Sequence, residues 1–151
     1  KLALLTAHRR ESFGEGLLRI CQAVLKLLDR HPNLHILYPV HPNPNVQDVV
    51  QKQLSAHPRV YLCAPLEYPG FVGALAAADL ILTDSGGVQE EAPALGKRVL
   101  VLRETTAEML TRGPGARGLA QVVEVPGCGH APALNVPEHF ALVDGFLAKA
   151  G

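Results

Sequence analysis

The 151-residue chain has no tryptophan, few aromatics of any kind (four Phe, three Tyr) and no net charge, with 14 Lys and Arg against 14 Asp and Glu. Without an excess of cations or a basic face interleaved with aromatics it lacks the electrostatic footprint of a polyanion binder. No nucleic-acid partner is expected, and any phosphate binding must be local. Cysteine is scarce too. Cys21, Cys63 and Cys128 are odd in number, scattered and in no metal-binding spacing, which excludes a disulfide framework. The first two fall on apparent core elements, as buried thiols of a reducing, cytoplasmic compartment would. No apolar run approaches the roughly 20 residues that cross a bilayer, and no signal peptide opens the chain, so no membrane association is expected. Internal repeats and low-complexity tracts are missing as well. The chain opens at Lys1, without Met and almost directly in a strand, as a piece of a longer protein would.

What is present is an alternation. Short apolar runs at Leu2–Leu5, His35–Tyr38, Val60–Leu62, Leu80–Leu82, Val99–Leu102 and Gln121–Val125 predict strands, several apolar without alternation, as strands buried on both faces are. Between them lie helical patterns: Leu17, Leu18, Cys21, Val24, Leu25 and Leu28, then Val46, Val49, Val50 and Leu54, then Phe71 to Ala78, Val88 to Leu95, and Phe140 to Leu147. Pro at 32, 42, 44, 58, 65, 69, 126 and 137 and Gly at 70, 87, 96 and 127 fall between or at the ends of these segments. One domain's length of alternating β and α units calls for an α/β fold, a mostly parallel, doubly wound sheet of about six strands flanked by helices.

Three loops at the carboxyl ends of predicted strands carry the polar chemistry, and that edge of an open α/β sheet is where ligands bind. In Thr83-Asp84-Ser85-Gly86-Gly87-Val88-Gln89-Glu90-Glu91 a strand, a Ser-Gly-Gly turn and a helix start make an anion site. Glycine lets a ligand approach the backbone, first-turn N–H groups have no intrahelical partner, and the helix dipole adds partial positive charge. Glu91 offers two acceptor oxygens that suit a vicinal diol such as a ribose, so the loop points to a nucleotide. The same residues also read as a capped helix start, with Asp84 or Ser85 as N-cap and the two glutamates complementing the dipole. The other two loops follow Leu5, from Thr6 to Gly14, and Tyr38, from Pro39 to Val46.

His8-Arg9-Arg10-Glu11-Ser12-Phe13-Gly14, Pro39-Val40-His41-Pro42-Asn43-Pro44-Asn45-Val46 and Thr83 through Pro93 resemble, in that order, the signatures of the non-hydrolysing UDP-N-acetylglucosamine 2-epimerases, over roughly residues 1–106. The resemblance implies a Rossmann-like single domain, one half of a GT-B arrangement, corresponding to the carboxyl-terminal, UDP-binding half of such an enzyme. It further implies that Ser85, Gly86 and Gly87 hold the diphosphate, Glu91 the ribose hydroxyls, and that Phe71 lies by the uracil. His8 would contact the substrate and steady the departing UDP. The expected ligand is UDP or UDP-N-acetylglucosamine, with no cofactor, and no metal either, since the histidines are wrongly spaced and lack accompanying cysteines or carboxylates. Enzymes of this kind invert C2 of the sugar by eliminating UDP to a 2-acetamidoglucal and adding it back. The carboxylates that move the proton belong to an amino-terminal domain, so this chain alone is expected to be inactive. Arg9, Arg10 and Glu11 read as an ion-paired scaffold or as direct contacts, and His41 with Pro42 and Asn43 as a rigid turn.

After Arg103-Glu104-Thr105-Thr106 the epimerase pattern continues Glu-Arg-Pro-Glu, whereas this chain reads Ala107-Glu108-Met109-Leu110. Glu108 thus stands where a phosphate-binding arginine belongs, and would repel a diphosphate. From about Val99 the chain also resembles the end of an α/β-hydrolase, with His130 in Gly129-His130-Ala131-Pro132 at the place of the triad histidine. The two resemblances imply a chimaera, 1–106 epimerase-like and 107–151 hydrolase-like, within one Rossmann-like domain over 1–151. No Gly-x-Ser-x-Gly elbow exists and Thr105-Thr106 replaces the expected acid, so His130 reads as a relic. Two rival readings are an esterase using Ser85 and His130, with Asp84 or Glu91 as orienter, and a chimaeric fold with no ligand.

Overall fold

The computed structural model describes residues 1–8 and 13–102 and, near the carboxyl end, the helical residues Ala141, Asp144, Gly145, Leu147 and Ala148. Its elements alternate strictly: β1 (Leu2–Thr6), α1 (Glu15–Arg30), β2 (His35–Pro39), α2 (Pro44–Leu54), β3 (Val60–Cys63), α3 (Tyr68–Ala77), β4 (Leu80–Thr83), α4 (Gly86–Ala94) and β5 (Val99–Val101). The five strands lie in the order β3-β2-β1-β4-β5, every pair parallel. This is the doubly wound sheet the alternation predicts; the expected sixth strand, Gln121–Val125, lies outside the described residues.

The sequence periods explain the layers. Successive strand side chains point to opposite faces. Ala3, Leu5, Leu80, Leu82, Leu100 and Leu102 therefore join the core under α1 and α2, while Leu4, Ile81, Val99 and Val101 join the one under α3 and α4. α1 buries Leu17, Ile20, Cys21, Val24, Leu27 and Leu28 from one stripe. Gly14, at φ 73, turns the chain into α1 in a conformation that costs a residue without Cβ little. β4 and β5 are buried throughout, whereas β3, paired among the described residues with β2 alone, leaves Tyr61 exposed and Cys63 half-covered. The expectation of a buried Cys63 thus fails: it is the last residue of β3, whose burial falls off along the strand. Cys21 is buried as expected, and loss of solvation pushes its thiol up to about 12.

Helix starts differ from the pattern by one turn or less. α3 opens at Tyr68 rather than Phe71, with Pro69 in its first turn, where a missing N–H costs nothing. Likewise α4 opens at Gly86 rather than Val88, and Pro93, one residue from its end, helps stop it. On the amino-terminal edge of the sheet the Arg59 guanidinium donates to the carbonyls of Leu28 (2.6 Å), His31 (2.7 Å) and Leu34 (3.1 Å), closing off the end of α1. The carboxyl-terminal helical residues return to the same place. Asp144 lies 2.8 Å from both Arg30 Nη2 and His31 Nε2, Leu147 is buried in the α1 core, and Lys1 Nζ donates to the Leu147 carbonyl. Among the described residues no helix is long and apolar enough to cross a membrane, and no group of three or more His, Cys, Asp or Glu could hold a metal ion.

Candidate functional site

β1 and β4 are neighbours, but the chain leaves β1 toward β2 and leaves β4 toward β5, in opposite directions along the sheet. The loops beyond their carboxyl ends therefore part, and the crevice between them is the topological switch point of an open α/β sheet. A cleft of about 330 Å³ opens there, lined among others by Thr6, His8, His41, Phe71, Ser85, Gly87, Val88 and Glu91.

Its floor is a hydrogen-bonded seam. The Thr6 and Thr83 hydroxyls meet at 2.5 Å, and Thr83 Oγ1 also accepts the Ser85 N–H at 3.0 Å, which fixes the turn after β4. Asp84 is fully buried; its N–H donates to the Thr6 carbonyl (3.1 Å), its Oδ2 accepts the His8 N–H (2.9 Å), and its Oδ1 lies 3.6 Å from His8 Nδ1. The His8 ring stacks on His41, centroids 5.7 Å apart and planes within 6°. Tyr38, buried on β2, donates its hydroxyl to the Ala7 carbonyl at 2.6 Å. Burial above all, and then Cys21 and Asp84 nearby, raise that phenol well above the usual range, so it stays a neutral donor.

Facing this seam is the start of α4. Ser85 stands at the N-cap with extended backbone, yet its side chain makes no capping bond. The capping reading fails for Asp84 too, since the N-cap position is Ser85 and no side chain caps the helix, and the glutamates lie beyond the first turn. The first-turn N–H groups have no intrahelical carbonyl to bind, and a Cβ added at Gly87 would meet no atom within 4 Å, so the space in front of them is open. An anion there would meet backbone donors and the positive end of the helix dipole. Glu91, one turn on, and Phe71 of α3 complete the far wall.

Of the residues singled out in the sequence, His8, Ser85, Gly87, Glu91 and Phe71 thus share one cleft, with Gly86 at the first position of α4. Arg9, Arg10, Glu11, Glu108 and His130 lie outside the described residues. The second loop does form a tight turn, with the Asn43 N–H on His41 Nδ1 (3.2 Å) and Asn43 Oδ1 capping α2 through the Asn45 N–H (2.9 Å). Sequence reasoning missed that His41 also enters the cleft and that Asp84 grips His8. The first needs the pairing of β1 with β2; the second was hidden because an aspartate before a helix reads as a cap.

Residues 1–123 match the UDP-N-acetylglucosamine 2-epimerase family. The chain is 51% identical over 115 residues, 75% of its length, to the UDP-N-acetylglucosamine 2-epimerase of Escherichia coli K12. Among solved structures, the epimerase from Neisseria meningitidis bound to UDP-GlcNAc superposes on 99% of this chain with a TM-score of 0.82 and 39% identity, the match covering 38% of that protein. The S. aureus MnaA–UDP co-structure superposes on 82% of it with a TM-score of 0.74 and 42% identity, covering 33% of that protein. The chain spans only 28% to 31% of the length of the curated relatives it matches.

Proposed function

The chain belongs to the UDP-N-acetylglucosamine 2-epimerase family, and from that premise we propose that it is a nucleotide-sugar half-site, binding UDP or the UDP part of UDP-N-acetylglucosamine in the cytoplasm. The observation that carries this reading is the convergence of Ser85, Gly87, Glu91, Phe71 and His8 on one cleft at the switch point. In it the diphosphate sits at the start of α4, against Ser85, Gly86 and Gly87. Glu91 accepts from the ribose hydroxyls, and Phe71 lies along the uracil. His8, on the opposite loop, faces the bond between sugar and phosphate, where it steadies charge as UDP departs. Relatives bound to UDP-GlcNAc and to UDP support the ligand class.

Epimerisation needs, in addition, groups that move a proton at C2, which the reading assigns to an amino-terminal domain closing over the sugar. The proposal therefore gives the 151 residues binding without turnover. It also includes a join: residues 107–151 derive from an α/β-hydrolase segment, entered through the strand β5 that both patterns share. Ester hydrolysis by the purified chain, abolished in Ser85→Ala, would favour the esterase reading instead.

Thermal shift provides the test. A ligand that binds only the folded chain raises its melting temperature. UDP is expected to raise it clearly and uridine, which lacks the phosphates, far less. Equal shifts with the two would remove the diphosphate from the reading.

A further inference from the structure

Asp84 makes two contacts with a single residue. One carboxylate oxygen takes the His8 backbone N–H at 2.9 Å, the other stands 3.6 Å from Nδ1 of the same imidazole, and the aspartate is itself fully buried. The ring plane is held from another side by the stack on His41. A neutral imidazole carries its proton on one nitrogen or the other, and an ionised carboxylate can only accept. An unprotonated Nδ1 would set a lone pair against the nearer oxygen, whereas a protonated one is attracted to it across 3.6 Å, just beyond hydrogen-bond length.

We propose that Asp84 is a positioning residue for His8, holding its ring as the Nδ1–H tautomer so that Nε2 is the nitrogen presented to a ligand in the cleft. The second half rests on the cleft being the ligand site. In that arrangement neutral His8 offers Nε2 as an acceptor, and after gaining a proton it donates from Nε2, while the same buried carboxylate offsets the charge on the ring. The partner of a histidine ring fixes which nitrogen does chemistry, and replacing such an aspartate by asparagine can leave the geometry intact while reversing the tautomer.

The isosteric variant separates this role from a simple loop clamp. In Asp84→Asn the amide oxygen can still accept the His8 N–H, but the amide nitrogen then faces Nδ1 and donates to it, so the ring proton moves to Nε2. Long-range proton–nitrogen correlation NMR on the nitrogen-labelled chain, at a pH where imidazoles are neutral and with His8→Gln to assign the signals, reads the tautomer directly. Wild-type His8 is expected to be protonated on Nδ1, and Asp84→Asn to exchange the protonated and bare nitrogen signals. A wild-type ring protonated on Nε2, or an Asp84→Asn ring that stays protonated on Nδ1, would overturn the proposal. If the variant does not fold, the wild-type tautomer decides alone. The spectrum is taken without nucleotide, so a chain that keeps Nδ1–H on His8 but binds no UDP refutes the ligand reading and leaves the tautomer assignment standing.

Discussion

Gly86 and Glu91 carry opposite parts of the proposed ligand and should fail differently. A side chain at Gly86, the first residue of α4, would fill the space proposed for the diphosphate and strain the turn, and Gly86→Val is expected to abolish UDP binding. Glu91→Gln keeps the shape of the acceptor but not its charge; the loss should be about 1–3 kcal/mol, read as weaker UDP affinity by titration. Glu108→Arg should instead tighten binding by restoring a cation, with a gain that shrinks as salt rises. Gly86 and Glu91 were legible as candidates because a Ser-Gly-Gly turn between an apolar run and a helix start reads either as an anion site or as a capped start, and the open space in front of Gly87 favours the first. Asp84 was not legible in its actual role. Its chemistry is identical as a cap or as a histidine anchor, and only the pairing of β1 with β4, which sets Thr6 beside Thr83, brings His8 to it.

At the scale of elements, the ends decide more than the middles. Arg59 answers three carbonyls where α1 finishes, and partly buried carbonyls stripped of a charged donor are costly. Arg59→Met should lower folding stability by about 2 kcal/mol, visible as a lower denaturant midpoint with unchanged slope. Asn43→Ala removes the cap of α2 and should cost about 1 kcal/mol by the same assay. Element type and order were readable from the period of the apolar residues. The first turns of α3 and α4 were not, because Pro69, Gly70, Gly86 and Gly87 read as punctuation although a helix's first turn tolerates them. The edge position of β3 was equally hidden: strand order is a long-range property that a run such as Val60–Cys63 does not encode.

For the whole molecule, two buried acids of the α1-side core tie stability to pH. The Cys21 thiol ionises near 9 when exposed but near 12 in the fold, and the Tyr38 phenol is raised as well. The contribution of Cys21 is fully present below about pH 9 and is lost as the pH climbs toward 12, and that of Tyr38 begins to fall only above its ordinary value of 10, since the unfolded chain releases those protons first. Wild-type stability should therefore decline over that range, and Cys21→Ala, though less stable at neutral pH from its cavity, should decline less steeply. Activity belongs to this scale as well. Positioning across two closing domains supplies a large share of an enzyme's rate, so the purified chain is expected to convert no UDP-N-acetylglucosamine to its manno epimer, and turnover detected by chromatography would contradict that. The central claim is that the switch-point cleft still holds UDP. Calorimetric titration of the 151-residue chain with UDP tests it most directly. The account predicts a saturable heat with one UDP per chain that vanishes in Gly86→Val; no saturable heat at millimolar UDP, or a heat that Gly86→Val leaves unchanged, would contradict it.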